Sequence, residues 1–346
     1  KFILFCLNDY SFPILHPIKK VLVEKNYDFI WYVAPKLKAK FPFNEDKYTS
    51  SYTKLKSYKS DVILAPGNEV PFFLRGLKTQ IFHGLAGEKK GHFRIRDYFD
   101  LYLTQGPYFT SRFLELKKKH KNFDVVETGW PKLDKYFKKD DKHSKKRNEI
   151  LLKNRSKYII LYAPTFSPKL SSAPHVFTEI KSLAQNKSYT ILLKFHPLMD
   201  VKWVEKYKNL ANKNKNIIFK NESDITDYLI ISDLLISDTS SVVYEFILLN
   251  KPVITFKNIS DNYHWKNLIE YRNLENEVID CIKNDIYFKS RKEIIKKYHP
   301  YRDGKSAQRM VEAIESYLEH NKIPKNRKIS IFRMLKTLYK IIVKKI

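Results

Sequence analysis

Short, continuous apolar runs alternate along the chain with longer, lysine-rich stretches of helical periodicity. In the first half the runs are Phe2–Leu7, Phe29–Val33, Val62–Leu64, Gln80–Phe82, Leu101–Leu103 and Val125–Glu127. In the second half they are Tyr158–Tyr162, Thr190–Phe195, Ile217–Phe219, Leu234–Ile236 and Val253–Phe256. A run that is apolar throughout and flanked by polar helices reads as a buried parallel strand. The pattern predicts two α/β domains, each on a mostly parallel sheet. Between them, Phe137–Lys157 is highly charged and has no strand signal, which makes it the expected linker. The expected domains are 1–145 and 146–320, followed by a separate segment 321–346.

That last segment has a different character. From Lys322 to Ile346 there are nine Lys/Arg and no Asp or Glu. Phe332, Leu335, Tyr339, Ile342 and Ile346 fall on one face at helical spacing. A cationic amphipathic helix of this kind predicts attachment to an anionic membrane surface. The competing reading is a helix packed on a domain with its lysine stems snorkelling.

Composition narrows the classes. With 43% hydrophobic residues, the 346-residue chain can fill two cores, which excludes wholesale disorder. No apolar run approaches the about 20 residues needed to span a bilayer, and the opening KFILFCL is too short for a signal-peptide core. Only Cys6 and Cys281 occur, which excludes a disulfide framework and a CxxC zinc site and predicts a reducing cytoplasm. The net charge of +28 favours anionic partners, although a Lys-, Asn- and Ile-rich background supplies much of it.

Candidate chemistry clusters at strand ends. No P-loop, GxGxxG, HExxH or Asp-x-Asp motif is present. Seven of the eight glycines lie at or before Gly129, so a phosphate site in the second half must use hydroxyls and a helix start. Ser237-Asp238-Thr239-Ser240-Ser241 follows the Leu234–Ile236 run and precedes a helix-like stretch, where α/β sheets bind ligands. Simple helix capping by Asp238 or Ser240 is the plainer alternative. Lys194 and His196, at the end of another strand, are expected on one side by strand alternation and suit a diphosphate. Thr165 ends a third. In the first half, His83-Gly84 closes a strand, with Gly87, Lys89, Lys90 and Gly91 behind it. There His83 is a candidate general base, and Gly84 allows close approach of a ligand. A second glycine turn runs from Gly129 to Asp134.

Taken together, these segments resemble the CDP-glycerol glycerophosphotransferase family of teichoic acid and capsule polymer enzymes. In order they are His83-Gly84 with Lys89 and Gly91; Gly129–Asp134; Tyr162–Thr165; Lys194–Pro197; Asp238–Ser241; Lys251-Pro252; and Asp303-Gly304 with Ser306 and Arg309. The resemblance covers about residues 80 to 310. It implies a GT-B-like α/β fold, two Rossmann-like domains facing across a cleft, and metal-free transfer of a polyol phosphate with release of CMP. By the same resemblance His83 is the base and His196 serves the diphosphate. Thr165, Lys194, Asp238, Thr239, Ser240, Ser241 and Glu245 belong to the donor side, and Gly84, Lys89, Lys132 and Asp134 to the acceptor side. Thr239, Glu245, Glu88 and Lys132 differ from the common family residues, and the expected Pro after His83-Gly84 is absent, which opens the donor to ribitol or another CDP-linked polyol.

No cofactor is expected beyond the CDP-polyol substrate. The expected partners are a lipid-linked or oligomeric acceptor and an anionic membrane, not nucleic acid, and the expected place is the inner face of the cell membrane. Two other classes compete: a GT-B glycosyltransferase using a nucleotide sugar, and a non-catalytic basic binding protein.

Overall fold

A computed structural model describes residues 1–85, 92–138, 141–222, 224–259, 263–324 and 326–343. The chain folds as two compact units, 1–138 with 296–346, and 139–295.

The first unit carries seven strands: β1 (Phe2–Cys6), β2 (Phe29–Val33), β3 (Tyr48–Thr49), β4 (Val62–Ala65), β5 (Leu77–Gln80), β6 (Leu101–Thr104) and β7 (Asp124–Glu127). They lie in the order β3-β2-β1-β4-β5-β6-β7 with every neighbouring pair parallel. The second unit carries β8 (Tyr158–Tyr162), β9 (Tyr189–Lys194), β10 (Ile217–Lys220), β11 (Leu234–Ser237), β12 (Val253–Phe256) and β13 (Lys266–Leu268). Their order is β10-β9-β8-β11-β12-β13, again parallel throughout. Both sheets therefore reverse strand order beside their first strand, at β1/β4 and at β8/β11. Such switch points open a crevice beyond the carboxyl ends of the strands.

The apolar runs explain these strands. β1, β4, β6, β9, β11 and β12 are buried along their whole length, as strands covered on both faces must be. β5 departs from that rule. Its sequence, Leu-Lys-Thr-Gln, carries three polar residues, yet all four are buried. Lys78 survives there because its Nζ donates to the carbonyls of Pro71 (3.1 Å) and Phe72 (2.9 Å). Burial and the Arg327 charge push its ammonium down to about 7. The strand ends at Gln80, so Ile81 and Phe82 of the predicted Gln80–Phe82 run lie beyond it, and Phe82 takes a left-handed φ of 60°.

Two boundary expectations need correction. Much of the expected linker is a helix, Asp141–Asn154, within the second unit. The expected domain end at 320 is also wrong, because the chain returns to the first unit at 296. The return is held by packing that sequence distance hides. Gly106 lies so close to the Tyr298 carbonyl that a Cβ would stand 2.4 Å from its oxygen. The Nε2 of His299 accepts the Trp130 N–H at 2.9 Å. Glu315, on the Ser306–His320 helix, accepts from Lys25 Nζ and Tyr27 Oη, both at 2.7 Å.

Candidate functional site

In the second unit three strand ends converge at the switch point. Asp238 follows β11 and is fully buried. Its carboxylate accepts the Thr165 N–H (2.7 Å) after β8, and the Ser172 N–H and Oγ–H (each 2.9 Å). Burial outweighs these donors and raises its carboxyl to about 6. All three partners belong to the loop after β8, so Asp238 shapes that loop and does not face the rim as the sequence reading supposed. The Asp238 carbonyl also accepts from Asn258 Nδ2 (2.9 Å), and Thr239 Oγ1 accepts the Ile259 N–H (3.3 Å), which ties in the loop after β12.

Around this knot the predicted rim is assembled unevenly. Thr165 is half-buried and Ser241 exposed, while Ser240 accepts the Val242 N–H at 3.4 Å. The helix that follows is short, Val242–Ile247, and Glu245 is among its buried residues. Lys194 and His196 do not share a side. The Lys194 side chain turns inward, its Nζ on the Phe195 carbonyl at 2.8 Å, and burial lowers its pKa. His196 lies beyond the strand end and is exposed. The ring of Phe166, next to Thr165, stacks on it at 4.4 Å.

His196 accepts the Leu198 N–H at Nδ1 (3.1 Å), which leaves the imidazole proton on Nε2. His196 is therefore built to donate through Nε2.

His83 is built the other way. It stands over the switch point of the first sheet, between Tyr10 after β1 and Pro66 after β4. Its Nδ1 lies 3.0 Å from the Pro66 carbonyl, which can only accept. The proton therefore sits on Nδ1, which makes Nε2 the basic nitrogen of the neutral ring. Tyr10 stacks on the ring at 5.1 Å. His92 packs on Phe82 at 5.3 Å, and burial with the neighbouring His83 charge lowers its pKa to about 4, so His92 is neutral near pH 7. Gln105 Nε2 holds the Gly84 carbonyl at 2.9 Å. Among the described residues, a Cβ on Gly84 would meet no atom within 4 Å. Lys89, predicted beside it, lies outside the described residues, as do Gly87, Glu88, Lys90 and Gly91. Sequence reasoning missed Tyr10, Pro66, Gln105, Phe166 and Ser172, none of which carries a chemical signature of its own.

The family model described as CDP-Glycerol:Poly(glycerophosphate) glycerophosphotransferase matches residues 83–316, beginning at this histidine. The chain belongs to that family. Among curated relatives, the teichoic acid glycerol-phosphate primase of Bacillus subtilis (strain 168) is 28% identical over 236 residues, 63% of this chain and 58% of the relative. The teichoic acid ribitol-phosphate polymerase TarL of Staphylococcus aureus (strain NCTC 8325 / PS 47) is 27% identical over 306 residues, 79% of this chain and 51% of the relative. The alignments thus span between half and three-fifths of these relatives. In fold, the chain resembles the wall teichoic acid polymerase TagF, with a TM-score of 0.65 at 19% identity over 92% of this chain and 89% of the other. It equally resembles S. aureus MnaA in complex with UDP, with a TM-score of 0.67 at 18% identity over 94% and 99%.

Two glycerophosphotransferase motifs turn out to bind each other. The Asp134 carboxylate accepts the Ser306 and Ala307 N–H groups, both at 2.8 Å, and so caps the Ser306–His320 helix. It is 4% exposed, and burial raises its carboxyl pKa. Arg309 donates to the Thr128 carbonyl (2.9 Å) and pairs with Asp303 (2.6 Å). Gly129 has φ +87°, and a Cβ there would stand 2.5 Å from Ser306 Oγ. The Gly129–Asp134 and Asp303–Arg309 motifs therefore form one structural knot. The expected acceptor-side role of Asp134 gives way to capping, and Lys132 lies with its Nζ 5.4 Å from the Trp130 ring centre.

Proposed function

We propose that this chain transfers a polyol-phosphate unit, glycerol phosphate first among the candidates, from a CDP-polyol to an acceptor hydroxyl in wall polymer synthesis. The observation that carries this reading is the opposed wiring of two exposed histidines, Nδ1 donating on His83 and accepting on His196, which suits one to take a proton at Nε2 and the other to give one. Transfer needs one of each. His83 Nε2 takes the proton of the acceptor hydroxyl as its oxygen attacks the polyol-linked phosphorus. The bond from that phosphorus to the bridging oxygen breaks, and CMP leaves with the electron pair. His196 Nε2–H donates to the departing phosphate, with Thr165 and Ser241 beside it. Catalysis here is mostly positioning and charge stabilisation.

The relatives support a wall-polymer setting: their names include both glycerol-phosphate and ribitol-phosphate enzymes. An acceptor carried on a lipid would place the chain at the inner membrane surface. The basic segment 322–346 suits that place, and no described helix is long and apolar enough to cross a membrane. We propose metal-free transfer, so that EDTA leaves turnover unchanged.

The test is thermal stabilisation by a nucleotide panel: CDP-glycerol, CDP-ribitol, CDP, CMP, UDP-sugars and GDP-sugars. A ligand at 100 times its Kd adds about 2.7 kcal/mol, a shift of several degrees. Selective stabilisation by a CDP-polyol is expected. Stabilisation by UDP- or GDP-sugars alone would make the chain a glycosyltransferase, and no shift with any nucleotide would favour a binding protein.

A further inference from the structure

The helix Ile331–Val343 leaves a broad apolar stripe in solvent. An amphipathic helix that serves only to pack a domain buries its apolar stripe. Here the hydrogen bonds and ion pairs to the first unit come from polar side chains, with Met334, Leu338 and Ile341 half-buried and a second apolar stripe left outside. Arg333 pairs with Asp97 at 2.6 Å, Thr337 is buried with its Oγ1 3.2 Å from Tyr98 Oη, and Lys340 pairs with Glu69. Just before the helix, Arg327 is bidentate on buried Asp100 (2.7 and 2.6 Å) and reaches the Gly76 carbonyl at 2.8 Å. These bonds fix the helix's rotation. As a result Ile331, Phe332, Leu335, Tyr339, Ile342 and Val343 are all more than half exposed on the outer face.

The charge around that face selects its partner. Segment 322–346 has nine basic residues and no acidic one. Three of them, Arg327, Arg333 and Lys340, are matched by acids of the first unit. Lys322, Lys328 and Lys336 are exposed, Lys336 one turn on from Phe332. A second copy would bring like charge against like. An anionic lipid surface supplies both the apolar phase and the countercharge.

The inward bonds have a second consequence. Glu69 lies three residues after Pro66, whose carbonyl orients His83. Asp97 and Tyr98 lie five and six residues after His92, which packs on Phe82, the residue before His83. The helix is thus tied to the loop whose Pro66 carbonyl bonds His83 and to the segment whose His92 packs on Phe82. We propose that the outer face of the Ile331–Val343 helix seats on anionic lipid, and that its ion pairs to Glu69 and Asp97 transmit that seating to these two segments beside His83, so that the membrane surface regulates this site. The effect on turnover rests on the transferase reading above; the effect on the segments does not.

The test uses the full chain with phosphatidylcholine vesicles, with and without phosphatidylglycerol. Two quantities are read: backbone hydrogen exchange of 66–76 and 92–99, and CMP release with a soluble acceptor. Phosphatidylglycerol vesicles are expected to slow exchange in both segments and to raise turnover. Leu335→Asp should weaken vesicle binding at least about tenfold, the effect of losing one buried leucine side chain. Glu69→Gln and Asp97→Asn, singly and together, leave the helix charge intact. They should still bind vesicles while exchange and turnover no longer respond. The proposal is overturned if Leu335→Asp binds like wild type, if seating leaves both segments unchanged, or if the uncoupled variants respond fully. A concentration-dependent dimer abolished by Leu335→Asp, without vesicle binding, would overturn it in favour of self-association. Slowed exchange in the segments with no CMP release under any condition would leave the docking standing and remove the transferase reading.

Discussion

Replacing Asp134 separates a structural carboxylate from a catalytic one. In Asp134→Ala, the Ser306 and Ala307 N–H groups at the start of a fifteen-residue helix lose the carboxylate that accepts from both, and Asp134 itself is nearly fully buried. Loss of a capping side chain costs about 0.5–2 kcal/mol, and each buried donor left unpaired costs about 1–3 kcal/mol. Relief of the carboxylate's own burial, visible in its raised pKa, offsets part of this. The net expectation is a loss of about 2–4 kcal/mol. At about 2–4 °C per kcal/mol for a unit of this size, the first unit should melt about 4–16 °C lower. Asp134→Asn keeps one acceptor oxygen and should lose less than half as much. Calorimetry on the full chain reads the shift, and CMP release below the melting range reads what activity survives. If Asp134→Ala melts within about 1 °C of wild type while turnover collapses, the capping account is refuted and Asp134 belongs to the chemistry.

Other expectations follow from the same contacts. Gly106→Ala would push a Cβ onto the Tyr298 carbonyl and should detach the returning segment, which limited proteolysis near residue 296 would detect; a variant as resistant as wild type would contradict the close approach. Burial holds the His299 imidazole down to about 4, so its contribution is full above the unfolded value near 6.5 and is lost as pH falls through the folded one, on the order of 3 kcal/mol. His299→Gln should therefore flatten the acid limb of the first unit's stability curve; an unchanged limb would refute the assignment. Asp238 has the opposite sign. Its raised pKa, about 6, stabilises below the unfolded value near 3.9, and that contribution is lost as pH rises through about 6. Asp238→Asn should accordingly gain on wild type by about 3 kcal/mol between pH about 4 and about 7, and a pH-independent difference would rule this out.

Most of the fold was legible in the sequence, because β1, β4, β6, β9, β11 and β12 are buried on both faces and read as continuous apolar runs. β5 was not, since Lys78 is paid for by two carbonyls from a loop that no local pattern announces. That misplacement put His83 at a strand end when it stands beyond the strand. The short edge strands β3 and β13 left no run to find. The return of the chain at 296 depends on pairings such as Asp134 with Ser306, which have no periodicity. At the candidate site, both histidines and the hydroxyl rim were visible as residue types at strand ends. Their proton positions were not, because each is set by a backbone group, the Pro66 carbonyl and the Leu198 N–H. The family motifs pointed correctly to kinship. They did not distinguish residues that face substrate from residues that knit the first unit together.

The most direct test of the central claim is acceptor-dependent CMP release from CDP-glycerol and CDP-ribitol, comparing wild type with His83→Ala. His83 is exposed on the surface beside Pro66 and Tyr10, and the variant should keep its melting temperature. General-base catalysis is worth about 10²–10⁴-fold, and turnover should fall by that factor. Turnover within a few-fold of wild type in a folded His83→Ala protein would contradict the account.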